Sequence, residues 1–157
     1  MAHHPVGELP FLLIGSFRGI IDELNWHLDG LGYEEVRPLH GFALQSIDES
    51  GVSITEFARR LGVTKQAGAK TAASMESLGL VRRRTDPGDS RASVITRTPR
   101  ADDFLVESAR FLGAKEAEWR RRLGDQRYDI MIDCLRELTD AEPLTSIPGW
   151  LGRTTRV

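Results

Sequence analysis

The chain has 157 residues, 40% of them apolar and 28% charged, enough to bury the core of one domain and too apolar for a disordered polymer. Its longest apolar stretch, Phe11 to Ile14, falls far short of the roughly 20 residues that cross a bilayer, and no basic segment precedes it, so neither a membrane span nor a secretory signal is expected. The net charge of −2 conceals an uneven distribution: between Glu56 and Arg100 ten Lys and Arg face four acids, and the rest of the chain is acidic. A basic middle between acidic ends points to a polyanion as partner of the middle and to another role for the ends.

Leu9, Leu12, Leu13, Phe17, Ile20, Ile21, Leu24 and Leu28 recur at threes and fours, which predicts a long amphipathic helix over residues 9–31, ended by Gly30 and Gly32. After Pro38, the spacing of Phe42, Leu44 and Ile47 predicts a second helix that stops near Ser50 and Gly51. Ser53 followed by Glu56 has the spacing of a capping box and opens a third helix with Ile54, Phe57, Ala58 and Leu61 on its apolar face. Gly62 and Val63 make a tight turn, and Thr64 caps a fourth helix that runs past Met75 and Leu78 to Gly79. Ala58, Gly62, Val63 and Thr64 together are a helix-turn-helix signature, because crossing helices need a small residue and the sharp turn needs a Gly.

Leu80 to Arg84, the turn from Thr85 to Ser90, and Arg91 to Thr96 read as a β-hairpin, which directly behind a helix-turn-helix is a wing. Thr98, with Pro99 at the first helical position, caps a helix extending to about Leu123. Gly124 ends it, and Asp125 is expected to cap a last helix that carries Tyr128, Ile130, Met131, Cys134, Leu135 and Leu138 until Pro143. The apolar tail, with Leu144, Ile147, Pro148, Trp150 and Leu151, is expected to pack on a helix.

This order of elements resembles the MarR (multiple-antibiotic-resistance regulator) family of winged helix-turn-helix transcriptional regulators. Gly62-Val63-Thr64-Lys65-Gln66 is similar to the start of that family's recognition helix, and Leu78-Gly79-Leu80-Val81-Arg82-Arg83 to its exit into the wing. Asp86-Pro87-Gly88-Asp89-Ser90-Arg91-Ala92 resembles the family's wing signature. The resemblance implies a mainly α fold with a small β-hairpin wing. Residues 39–98 would form the DNA-binding lobe, and residues 8–32 and 99–157 the helical dimerisation region of one chain spanning 1–157. Two departures stand out. Arg97 occupies a position expected to be apolar and core-facing, and Gly68, Thr71 and Ala72 replace bulkier core residues, with Gly68 lowering helix propensity by about 1 kcal/mol relative to Ala.

A major groove about 12 Å wide admits one helix whose exposed early residues meet base edges. Thr64, Lys65, Gln66, Ala69 and Lys70 are the candidates: Gln66 for an adenine edge, Lys65 for guanine or phosphate, Thr64 for a phosphate at the helix N-terminus. By resemblance, Arg91 at the wing tip reaches a narrow minor groove, Asp89 holds it in position, and Arg83 braces the wing or a phosphate. One such helix reads only a few base pairs, so a two-fold dimer on a pseudo-palindromic operator is expected.

The resemblance also implies a small lipophilic or phenolic effector, with Trp26, His27, His40 and Phe42 as candidate lining residues. Cys134 sits among Ile130, Met131 and Leu138 and is read as a buried, inert thiol, with redox sensing as the alternative; a lone cysteine and the absence of a leader point to the cytoplasm. No cofactor or metal site is expected, since His3 and His4 are terminal and His27 and His40 stand alone. An enzyme is not expected either, for want of a phosphate loop, a nucleophile elbow or a paired acid and base. The chain therefore reads as a ligand-responsive DNA-binding repressor acting as a homodimer, with a winged-helix protein-interaction module that no longer binds DNA as the alternative.

Overall fold

The computed structural model describes residues 6–86 and 89–139, with side chains outside 86–92. In chain order the elements are α1 (Glu8–Asp29), α2 (Pro38–Gln45), β1 (Val52–Ser53), α3 (Ile54–Arg60), α4 (Lys65–Ser77), β2 (Val81–Asp86), β3 (Asp89–Arg97), α5 (Pro99–Leu123) and α6 (Asp125–Leu138). This is a mainly helical chain with one small antiparallel sheet, in which β3 lies between β1 and β2.

The helices start where the capping chemistry predicts. Ser53 Oγ accepts from the Glu56 N–H at 3.2 Å, Thr64 Oγ1 from the Ala67 N–H at 3.2 Å, and Thr98 Oγ1 from the Ala101 N–H at 3.3 Å. Each such cap satisfies one of the backbone donors that a helix start leaves open, at about 1 kcal/mol. Two cap expectations change. Only half of the Ser53 box forms, because the Glu56 carboxylate is taken by Arg59 and Arg60. At the start of α6, Gly124 holds the N-cap position and Asp125 is the first helical residue, its carboxylate drawn to Arg120 at 3.3 Å.

Other boundaries shift for tertiary reasons. α2 stops at Gln45, five residues short of the expected end. Ser46 Oγ turns back to donate to the Ala43 carbonyl at 2.7 Å, and Ile47 enters the core from the turn that follows. The two-residue β1 was not anticipated: it has no periodicity of its own and exists because Val52 and Ser53 pair with Ile95 and Val94 of β3. α6 ends at Leu138, before Pro143. The apolar tail from Leu144 to Leu151 and the Pro87-Gly88 turn lie outside the described residues.

The core sits in the lobe made by α2, α3, α4 and the sheet. Phe57, Leu44, Ile47, Met75, Leu80, Ile95 and Val81 are its fully buried side chains, and truncating the largest, Phe57, to Ala would cost about 3–5 kcal/mol. α5 ties this lobe to α1. Near its start Ala101 and Phe104 enter the core. Farther along, Lys115 Nζ lies 2.6 Å from Glu23 of α1, and Phe111 stacks on His27 with centroids 5.2 Å apart.

Among the described residues the buried positions of α1 lie in its second half. Leu24 and Leu28 are buried, whereas Leu9, Phe11, Leu12, Leu13 and Ile14 are exposed, as are Ile130, Leu135 and Leu138 of α6. Cys134 shares this exposure, which corrects the expectation of a buried thiol: the described residues leave its side of α6 open.

Candidate nucleic-acid interface

The geometry of α4 follows from what lies beneath it. Gly68, Ala72 and Met75 are buried, and the crossing with α3 is so close that a Cβ built on Gly68 would lie 2.6 Å from Ala58 Cβ and 3.0 Å from Ala58 Cα. The absence of bulk at Gly68 is therefore what lets the two helices meet. Gly62, at φ +63°, makes the turn between them in a conformation that L side chains rarely adopt. Thr71, half-buried, satisfies its hydroxyl within the helix by donating to the Ala67 carbonyl at 3.1 Å.

With that side fixed inward, the opposite side faces solvent. Thr64, Lys65, Gln66 and Lys70 are exposed, with Gln66 and Lys70 one turn apart on the same face, while Ala69 is half-buried and packs against the core. Lys65 and Lys70 carry no ion pair among the described residues. Four of the predicted residues thus share the open surface of α4, and Ala69 lies at its inner edge.

The wing is anchored to this helix. The Arg83 backbone N–H donates to Glu76 Oε1 at 3.2 Å, and its guanidinium lies 3.6 Å from Glu76 Oε2, so Arg83 braces β2 against the end of α4. Arg83 stands opposite Ile95 in the ladder, whereas Arg82 and Arg84 stand opposite Thr96 and Val94. Successive strand residues point to opposite faces, so Arg82 and Arg84 form a basic pair on the face turned away from Arg83. Both are exposed and, among the described residues, unpaired. The sequence reading passed over this pair; the period-two alternation of the Val81 to Thr85 run was the signal for it. Asp89 and Arg91 belong to β3, with side chains outside the described residues.

Other basic residues of the middle segment are structural. Arg60 Nη1 donates to the Ser46 carbonyl at 2.8 Å, and its guanidinium also pairs with Asp48 and Glu56. Hydrogen bonds from Arg59 and then Arg60 hold the Glu56 carboxyl down to about 2. Arg97, at a position expected to be apolar and core-facing, donates from Nη1 to the Ile47 carbonyl at 2.7 Å and from Nε to Asp102 Oδ1 at 2.8 Å. The segment's charge is thus divided between internal struts and an outward set of Lys65, Lys70, Arg82 and Arg84.

Across residues 36–92 the sequence matches the model of the MarR family. That stretch, the winged helix-turn-helix, is what is similar to the MarR family. Solved structures agree on the fold. YusO from Bacillus subtilis superposes with a TM-score of 0.68 at 21% identity, covering 86% of this chain and 94% of that one. The reduced form of MarR from E. coli gives 0.67 at 19%, covering 88% and 98%. A point mutant of MepR from S. aureus, bound to an oligodeoxyribonucleotide, gives 0.61 at 16%, covering 83% and 94%. No curated protein matches the chain significantly.

The four candidate effector residues of the notional pocket stand in different surroundings in the protomer. Trp26 is exposed on a cleft of about 220 Å³ shared with Asp22, Asn25, Asp29, Glu34, Val36 and Arg37. His27, on the next position of the helix, turns to Phe111 and Glu107 of α5. His40 is buried against α4, where its ring lies 3.4 Å from Ser74 Oγ. Phe42 is half-buried on α2. Helical periodicity separates them, since neighbours on a helix differ by about 100° in direction. Among the described residues no group of three or more His, Cys, Asp or Glu could hold a metal ion, and no helix is long and apolar enough to cross a membrane.

Proposed function

We propose that the chain is a sequence-specific DNA-binding transcriptional regulator that acts as a homodimer. The observation that carries this reading is the outward face of α4: Gln66 and Lys70 lie open on a helix capped by Thr64, and the basic pair Arg82 and Arg84 extends from the wing beside it. Gln offers a bidentate match to an adenine edge, while Lys and Arg neutralise phosphates. Similarity in fold to MepR, whose structure contains an oligodeoxyribonucleotide, supports DNA as the partner; in this reading α4 enters the major groove and Arg91 the flanking minor groove.

The exposed apolar residues of α1 and α6 support dimerisation, since single-copy exposure of Leu9, Phe11, Leu12, Leu13, Ile14, Ile130 and Leu138 is more than an isolated soluble domain leaves to water. In this reading the dimer works in the cytoplasm as a repressor on a pseudo-palindromic operator. A lipophilic or phenolic effector releases it by binding better to one spacing of the two recognition helices than to the other. The alternative of an interaction module without DNA binding loses one of its two supports, because Gly68 is accounted for by the close approach to Ala58.

Selection from a random duplex pool with purified protein tests this directly. The expected result is an inverted repeat with half-sites about ten base pairs apart. A folded dimer that enriches no sequence would overturn the reading.

A further inference from the structure

His40 joins two elements whose relative position matters for the face of α4. Its Nδ1 accepts from the Arg37 N–H at 3.0 Å, the N-cap residue of α2. That bond requires Nδ1 to be unprotonated, so the neutral ring carries its proton on Nε2, 3.4 Å from Ser74 Oγ in the third turn of α4. The ring is buried, with 7% of the residue exposed. It therefore spans from the start of α2 to Ser74 of the recognition helix, which stands one turn beyond Lys70 on the stripe that also carries Gln66.

We infer that His40 is a proton-sensitive positioning residue: the neutral imidazole props α4 against α2, and protonation releases the prop and loosens the recognition helix. A proton on Nδ1 sets two donors, the ring N–H and the Arg37 N–H, against each other. It also places a cation in a buried site next to the Arg37 guanidinium. The groups that meet the ring are uncharged on the α4 side, where Ser74 is its partner, and cationic on its own helix, where Arg37 is; α5 approaches α2 here through the Phe104 ring, which lies against Gly41. No carboxylate among the described residues contributes to stabilising the charged ring.

Burial first, and the Arg37 guanidinium second, hold the imidazole below its ordinary value of 6.5. With a depressed folded value, the contribution of the neutral ring is complete above the ordinary value and is lost as pH falls through the lower folded one.

The inference deepens the DNA-binding reading for its consequence but not for its first test. Hydrogen exchange of the α4 amides, corrected for intrinsic rates, would be compared at pH 7.5 and pH 5.5 in the full chain and in His40→Asn, whose Oδ1 can take the Arg37 N–H without titrating. Expected is a loss of α4 protection at the lower pH in the natural chain and none in the variant. Ser74→Ala is the second variant, should Asn disturb folding: it leaves His40 to titrate but uncouples it from α4, whose protection should then change little with pH. Equal protection at both pH values in the natural chain, or an equal loss in the variants, would overturn the inference. In parallel, affinity for the selected duplex should fall with acidification by at most about tenfold per pH unit for each imidazole, and this fall should be absent in His40→Asn. A pH-dependent α4 in a protein that binds no duplex at either pH would keep the prop and sink the DNA reading; a duplex-binding protein with pH-independent α4 would do the reverse.

Discussion

Gly68 of α4 and Ala58 of α3 approach so closely that a single added methyl at residue 68 would stand 2.6 Å from the Ala58 Cβ. Two effects of opposite sign meet at this position. Ala would raise helix propensity by about 1 kcal/mol over Gly, while forcing a methyl into a packed crossing costs about 1–3 kcal/mol. The atoms it meets are a Cβ and backbone, which cannot swing aside, so the packing term wins. Gly68→Ala should lower stability in chemical denaturation, and adding Ala58→Gly should restore part of the loss. A more stable Gly68→Ala protein would show that the crossing can open.

Arg97, where the family resemblance implies an apolar side chain, is a strut between elements. Its guanidinium spans the Ile47 carbonyl and the Asp102 carboxylate, linking β3 to the end of α2 and the start of α5. Arg97→Leu restores apolar character but removes the donor facing a half-buried carbonyl. Loss of about 1–3 kcal/mol is expected, read as a lower denaturation midpoint. A neutral or stabilising outcome would mean that water replaces the guanidinium.

Thr98 carries three connections on one hydroxyl. It accepts from the Ala101 N–H, donates to the Gly79 carbonyl at 2.6 Å, and lies 3.2 Å from the Leu80 carbonyl. The hydroxyl closes the wing onto α4 and caps α5 together. Thr98→Val keeps the shape and removes both roles, and should cost about 1–2 kcal/mol. Thr98→Ser should recover most of it.

DNA binding should divide the basic residues into classes. Lys70→Ala is expected to weaken binding with little change in sequence preference, and Arg91→Ala to weaken operator binding by about 1–3 kcal/mol. The Arg82→Ala, Arg84→Ala double variant should flatten the salt dependence, which for about six to ten phosphates neutralised per dimer has a log-log slope of roughly −5 to −9. Arg60→Ala should act instead through stability. Titration of the selected duplex at two salt concentrations separates these outcomes; a flat salt response in the natural chain would count against DNA as partner.

Acid should expose the Arg59, Arg60 and Glu56 cluster. The Glu56 carboxyl is held at about 2 by its two arginines. A depressed carboxyl contributes stability that is present above the ordinary value and is lost as pH falls through the folded one. The decline therefore belongs between about 4.5 and 2. Solvent exposure screens the effect, so its sign is the useful prediction: Glu56→Gln should show a shallower fall in melting temperature over this window than the natural chain.

Local chemistry was readable from residue order alone. Ser53, Thr64 and Thr98 announce helix starts because a side-chain oxygen there satisfies an open backbone N–H, and Gly62 announces the turn because few other residues accept its backbone angle. The exposed character of Lys65, Gln66 and Lys70 follows from helical periodicity against Met75 and Ala72. Arg82 and Arg84 were legible in the same way from strand alternation.

Relations between distant residues were settled only by packing. Whether Gly68 weakened α4 or shaped it depended on the distance to Ala58, ten residues away, and whether Arg97 was a misplaced charge or a strut depended on the Ile47 carbonyl, fifty residues away. The same holds for β1, which exists only through its partner strand, and for His40, which the family resemblance offered as an effector residue and whose ring lies against Ser74. Capping, turns and periodicity are properties of neighbours along the chain. Burial, ion pairing and the environment of a titrating ring are set by whatever the rest of the chain brings alongside.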